Sequence, residues 1–121
     1  MARLDREIVV VDDEQGILEA FDAMLGDDYA LVTIDNGSDA IEYVKSHKPR
    51  LIFLDIKMPG INGIEVLRKL RRDKSDAAVV IVTATTKSTY QEEAEDLGIA
   101  AFLRKPFGVD DVESITRRVL H

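Results

Sequence analysis

Apolar residues along the chain fall into two alternating kinds of run. Short blocks dense in β-branched and aliphatic residues occupy 8–11, 30–34, 51–54, 79–82 and 102–103. Each is too short for a helix, and all but 30–34 are read as ending in a polar residue, which predicts strands. Between the blocks the apolar positions recur at helical period. Ile17, Leu18, Phe21, Met24 and Leu25 form a stripe that would bury one helix face against a sheet. Ala40, Ile41 and Val44 mark a second helix after the Asn36-Gly37-Ser38 turn, and Ile64, Leu67 and Leu70 a third after Pro59-Gly60. A fourth opens on Ser88-Thr89-Tyr90-Gln91, a capping-box pattern, carries a thin face of Tyr90, Ala94 and Leu97, and closes at Gly98. Val109, Val112, Ile115 and Val119 predict the last.

The strand blocks recur roughly every 20 to 28 positions, the length of a strand, a helix and two loops. Five βα units account for the spacing. Strands that are apolar on both faces and alternate with helices predict an α/β fold, a parallel five-stranded sheet covered on two sides. With 121 residues there is room for one domain, 1–121. In such sheets ligands lie beyond the carboxyl ends of the strands. The polar residues there are Asp12 and Asp13 after the first strand, Asp55 after the third, Thr83 after the fourth and Lys105 after the fifth.

Composition narrows the chemistry. Sixteen Lys and Arg against 23 Asp and Glu leave a net charge of -7, which disfavours nucleic-acid phosphates and anionic membranes as partners. There is no cysteine, so no disulfide, thiol nucleophile or thiolate metal site. His47 and His121 alone cannot build a metal cluster. The apolar stretches are too short for a membrane span and the first seven residues lack a signal-peptide apolar region, so a cytoplasmic location is expected.

Three carboxylates drawn together repel one another unless a cation neutralises them. Oxygen ligands without His or Cys select Mg²⁺ or Mn²⁺, whose open positions accept phosphoryl oxygens. Asp55 could then attack phosphorus as a carboxylate nucleophile, with Lys105 and Thr83 stabilising the equatorial oxygens. Each residue also has a plainer reading. Asp12-Asp13-Glu14 could cap the first helix, Asp55 could begin a turn, Thr83 could finish a strand, and Lys105 could be a surface lysine. It is their shared sheet edge that favours the phosphoryl site.

Asp12-Asp13, then Asp55-Ile56-Lys57-Met58-Pro59-Gly60 with Gly63, then Thr83-Ala84, then Lys105-Pro106-Phe107 strongly resemble the receiver domain of bacterial two-component response regulators. The resemblance spans essentially the whole chain. It implies a flavodoxin-like doubly wound sheet of order 2-1-3-4-5, a phosphoacceptor at Asp55, and Mg²⁺ held by Asp13, Asp55 and the Lys57 backbone carbonyl, with Asp12 acting through water. It further implies Thr83 as the switch hydroxyl, Phe102 as the switch aromatic, and Lys105 as the phosphate-binding lysine with a cis bond to Pro106. Phe102 stands where many relatives have tyrosine. The implied partners are a histidine kinase or phosphotransfer protein and a downstream protein or effector domain, with homodimerisation on activation as an option. Such a domain catalyses its own phosphoryl transfer and autodephosphorylation rather than turning over a substrate, and the phosphoryl lifetime varies with Lys57 and Thr85.

Three rivals fit less well. A phosphatase of the haloacid-dehalogenase type wants a carboxylate two positions after its nucleophile, where this chain has Lys57. A nucleotide or flavin binder wants a Gly-rich loop after the first strand, which is absent. A receiver used only for interaction would not need every chemical position. Outside the site, Arg68, Lys69, Arg71, Arg72 and Lys74 read as a solvated face of the third helix, and Glu92, Glu93, Glu95 and Asp96 as an acidic surface of the fourth. Ile99, Ala100 and Ala101 after Gly98 do not support a dimer through the fourth helix, fifth strand and fifth helix. His47 reads as a dipole partner at its helix end.

Overall fold

The computed structural model describes residues 7–84 and 88–121. Its elements alternate strictly: β1 (Ile8–Val11), α1 (Gln15–Leu25), β2 (Leu31–Ile34), α2 (Gly37–His47), β3 (Leu51–Asp55), α3 (Gly63–Arg72), β4 (Ala78–Thr83), α4 (Ser88–Leu97), β5 (Ala101–Arg104) and α5 (Val109–Leu120). The strands form one sheet in the order β2-β1-β3-β4-β5, and every pairing is parallel. Five short segments of β-branched and other apolar residues separated by amphipathic helices therefore build the parallel sheet covered on two sides that the pattern predicts, in the doubly wound order that the resemblance implies.

Alternation along the strands sorts the side chains into two cores. Val9, Val11, Ile52, Leu54, Val79 and Ile81 face α2, α3 and α4. Ile8, Val10, Leu51, Phe53, Val80 and Val82 face α1 and α5. The central strands β1 and β3 are buried at every position. The outer strands β2 and β5 are only partly buried, with Thr33 and Arg104 exposed, as befits edges that must not invite further pairing. Among the described residues no helix is long and apolar enough to cross a membrane.

The helix starts are fixed locally. Asn36 caps α2 through Asp39, and Asn62 and Glu65 form a reciprocal capping box on α3. Gly98, at φ +90°, closes α4, its N–H donating to the carbonyl of Ala94 at 3.1 Å. The capping pattern that begins at Ser88 lies at the border of the described residues, and the residues preceding it fall outside them.

Two helix faces differ from their apolar pattern. In α5 the buried positions are Val112, Thr116 and Leu120, four apart, while Ile115 and Val119 are half-buried and Val109 is 49% exposed. Thr116 can occupy the core because its hydroxyl donates to the Val112 carbonyl at 2.7 Å. Val109, at the first helical position, projects past the core. In α3 the basic run is not one solvated face. Arg71 turns inward and donates to four carbonyls, those of Leu97 (3.1 Å), Gly98 (2.8 Å), Ser75 (2.9 Å) and Ala77 (3.2 Å). One guanidinium thus ties the end of α4 to the loop between α3 and β4. Arg68 pairs with Glu93 across α3 and α4.

Hydrogen bonds from a charged donor contribute more than neutral ones, and the carbonyls left behind are costly to bury unpaired. Arg71→Ala is expected to lower stability by about 2–3 kcal/mol, while Arg72→Ala, on the exposed side of the same helix, changes it by less than about 0.5 kcal/mol. Urea unfolding measures both. Hydrogen exchange in the Arg71 variant should quicken at 94–98.

Candidate functional site

The chain leaves β1 to one side of the sheet for β2 and returns to the other side for β3. The strand order reverses between these two strands, and this is where open α/β sheets leave a crevice at their carboxyl ends. Their register sets Val11 opposite Leu54, so the next residues of the two strands, Asp12 and Asp55, come side by side. Asp55 is the last residue of β3 and Thr83 the last of β4, one position earlier than expected of residues following the strands. Asp12, Asp55 and Thr83 are buried and Asp13 is exposed. Carboxylate oxygens of Asp12, Asp13 and Asp55 lie within 4.8 Å of one another.

Lys105 arrives from the end of β5. Its amide donates to the Thr83 carbonyl at 2.9 Å, and its Nζ lies 2.9 Å from Asp12 Oδ2, 3.4 Å from Glu14 Oε1 and 3.5 Å from Asp55 Oδ1. The Lys105–Pro106 peptide bond is cis. Burial alone would lower the Lys105 pKa, but its hydrogen bond to Asp12 and the charges of Asp55 and Asp12 prevail and raise it. Asp55 moves the opposite way from most paired carboxylates. Burial, then repulsion from Asp12, lifts its pKa from 3.8 to about 6, against the pull of Lys105.

Two like charges at such a separation repel by roughly 3 kcal/mol at an effective dielectric of about 20. One ammonium among three carboxylates and Glu14 leaves the pocket negative. The oxygen-only donor set, two members buried and one open to solvent, suits a hard divalent cation.

The acidic triplet does not act as a helix cap. Glu14 is the N-cap of α1 without a side-chain cap bond, and Asp12 instead spends Oδ1 on the amide of Glu14 at 2.9 Å and Oδ2 on Lys105. Asp12 is thereby oriented before any ligand arrives. Sequence reasoning left Glu14 with only the capping role, since nothing in its spacing shows that Lys105 would reach it. Gly63 proves more than a motif glycine. A Cβ there would fall 2.1 Å from the Asp55 carbonyl oxygen, and its amide donates to Ile56 at 2.8 Å. The start of α3 therefore presses directly on the backbone that holds Asp55. Phe102 is half-buried against the core on the α2–α4 side. Lys57 is exposed in the loop after β3, Thr85 lies outside the described residues, and His47 sits at the end of α2 stacked on Tyr43 at 3.9 Å, apart from the site.

The model of the response regulator receiver domain matches residues 8–117, and the chain belongs to that family, the receivers of two-component signalling systems. It is 36% identical over 117 residues to the response regulator Rre1 of Synechocystis sp., covering 93% of this chain and 51% of that protein. It is 29% identical over 118 residues to sporulation initiation phosphotransferase F of Bacillus subtilis, covering 97% and 95%. Among solved structures, a LuxR-family DNA-binding response regulator from Staphylococcus aureus superposes with a TM-score of 0.87 at 26% identity, covering 94% of this chain and 98% of that one. The chemotaxis protein CheY4 of Vibrio cholerae gives 0.88 at 24% over 95% and 98%, a likeness of fold. The chain spans about half the length of Rre1 and of most other curated relatives it matches.

The raised Asp55 pKa has a stability consequence. The folded carboxyl keeps its proton up to about pH 6 whereas the unfolded one releases it near 3.8. The native state thus binds more protons between those values, and this group's contribution to stability declines as pH rises through that window. In metal-free buffer Asp55→Asn should exceed the wild type in stability by up to about 3 kcal/mol at neutral pH. The gain should shrink towards zero near pH 4. Urea midpoints measured across that range check the sign.

Proposed function

We propose that this chain is a phosphorylation-dependent switch that accepts a phosphoryl group on Asp55 from the phosphohistidine of a histidine kinase or phosphotransfer protein and changes its surface for a downstream protein or effector domain. The observation that carries the reading is the Asp55 carboxylate itself. It is buried at a strand end, raised to about 6 yet ionised at neutral pH, and faced by the Lys105 ammonium at 3.5 Å. The reading extends to a single receiver domain over 1–121 acting in the cytoplasm.

In the transfer, an Asp55 oxygen attacks phosphorus and forms the P–O bond as the P–N bond breaks, and the leaving imidazole nitrogen keeps that electron pair. Lys105, already oriented by Asp12, moves its contact from carboxylate to phosphoryl oxygen without changing protonation. Thr83, from the adjoining strand end, donates to another phosphoryl oxygen. Water attack on phosphorus reverses the modification, breaking the bond to Asp55 and releasing phosphate. Asp12, Asp13, Asp55 and the Lys57 carbonyl would hold Mg²⁺, or Mn²⁺, which supplies positive charge to the phosphoryl oxygens when bound. Incubation with Mg²⁺ and acetyl phosphate, followed by intact mass, should show a single phosphoryl adduct on the wild type, none on Asp55→Asn, and none with a chelator present. Full labelling of Asp55→Asn would refute the assignment.

The switch is read through Thr83 and Phe102. A hydroxyl drawn onto the phosphoryl group pulls the residues after β4 inward and opens room for the half-buried Phe102 ring to move further into the core, altering the α4 surface. A charge-assisted hydrogen bond contributes about 1.5–3 kcal/mol, a bias of roughly tenfold to a hundredfold. Thr83→Ala should therefore still accept phosphate on Asp55 but lose most of the coupling. NMR shifts of Phe102 and of residues 88–97, with and without beryllofluoride, measure this, and equal responses in wild type and variant would defeat the mechanism.

A further inference from the structure

Basic charge is distributed very unevenly along this acidic chain. Nine of the sixteen Lys and Arg lie between 45 and 74, together with only three of the 23 acidic residues. This segment contains the end of α2, all of β3 and all of α3. The strand is buried, and six of the nine cations, Lys45, Lys48, Arg68, Lys69, Arg72 and Lys74, line the seam between α2 and α3. Two concavities open there. One, of about 350 Å³, lies between the carboxyl ends of the two helices, at the sheet edge opposite Asp55. Buried Val44, Pro49 and Leu70 form its floor, and Lys45, Lys48 and Lys74 stand around it. Its two acidic neighbours are drawn to cations elsewhere, Asp73 to Lys69 at 3.5 Å and Asp76 to the field of Arg71. The second, of about 320 Å³, continues along the seam and reaches Ile61 in the loop after β3; Arg68, Lys69 and Arg72 border it together with Glu65, whose carboxylate accepts from the Asn62 amide at 3.2 Å.

We infer that the α2–α3 seam is a docking surface for an acidic peptide segment, which places an apolar side chain on the Val44–Pro49–Leu70 floor and sets flanking carboxylates against Lys48, Lys74 and Arg72. Three features select this occupant. The floor is apolar and small, at the lower end of ligand-sized clefts, so it takes a side chain and not a domain. Lys48 and Lys74 both have left-handed backbones, at φ 49° and 64°, which fix the direction in which these exposed cations leave the two helix ends. The positive field is also local. Beyond Arg68 the surface turns acidic at Glu92, Glu93, Glu95 and Asp96 of α4, so a long polyanion such as nucleic acid would overrun the patch into repulsion, whereas a short peptide would not. The inference goes beyond the phosphoryl reading and does not rest on it.

The test uses the full chain and a fluorescein-labelled peptide in which one leucine is flanked on each side by two glutamates, followed by anisotropy at low salt and by amide-shift mapping. Shifts should cluster at 41–48 and 61–76. Binding should weaken as salt rises, and it should fall by about tenfold or more in Lys48→Glu/Lys74→Glu. If that double variant does not fold, Arg72→Glu serves in its place. Replacing the peptide leucine by serine should weaken binding to the wild type, and phosphorylation by acetyl phosphate should be the same in wild type and variants. Absence of shifts in these segments at millimolar peptide, undiminished binding by the charge-reversed variants, or indifference to the leucine would each overturn the proposal. Tighter binding of a single-stranded oligonucleotide at the same residues would assign the seam to nucleic acid and overturn it as well.

Discussion

Parallel strands that leave the middle of a sheet side by side must end side by side, and here β1 and β3 both end in carboxylates. The register that sets Val11 against Leu54 brings Asp12 and Asp55 together whether or not their charges approve. Everything at this edge answers the resulting repulsion. Lys105 crosses from β5 to Asp12 at 2.9 Å, Asp12 spends its other oxygen on the Glu14 amide, and Asp55 relieves the strain on its charge by holding its proton to about pH 6. The deficit of positive charge is partial by construction. A site fully neutralised by its own side chains would have no electrostatic reason to draw in a divalent cation or a phosphoryl group.

The sheet and its helices were legible because burial on both faces demands unbroken apolar runs in β1, β3 and β4, while single-sided burial demands a helical stripe. The residues of the candidate site stood out because ligands in this fold lie beyond the carboxyl ends of the strands, where Asp12, Asp13, Asp55, Thr83 and Lys105 are found. What stayed hidden depended on rotation and reach. Arg71 is indistinguishable in sequence from Arg72, yet a rotation of one residue about the helix axis turns it onto four carbonyls, two at the end of α4 and two in the loop between α3 and β4. Thr116 stands outside the apolar pattern of its helix, but a bond to its own helix satisfies its hydroxyl and lets it occupy the core. Glu14 matters through a contact with Lys105, far along the chain, which no local pattern encodes.

The distribution of packing around the site decides which element can respond to it. Gly63 brings the start of α3 against the Asp55 carbonyl, and Ile64, Val66, Leu67 and Leu70 bury the helix behind it. At about 1.5–3 kcal/mol for each buried aliphatic side chain, dislodging α3 costs far more than one new hydrogen bond can supply. Among its described side chains α4 has one that is fully buried, Ala94, with Tyr90 and Leu97 half-buried. Among the described residues Arg71 anchors its carboxyl end and Arg68 pairs with Glu93 at its middle. In the proposed switch a bond of about 1.5–3 kcal/mol between Thr83 and the phosphoryl group is therefore a larger fraction of what holds α4 than of what holds α3. The helix with less to lose is the one that moves in that proposed switch, so α4 is the element whose surface would report the state of Asp55 while α3 holds Asp55 in place.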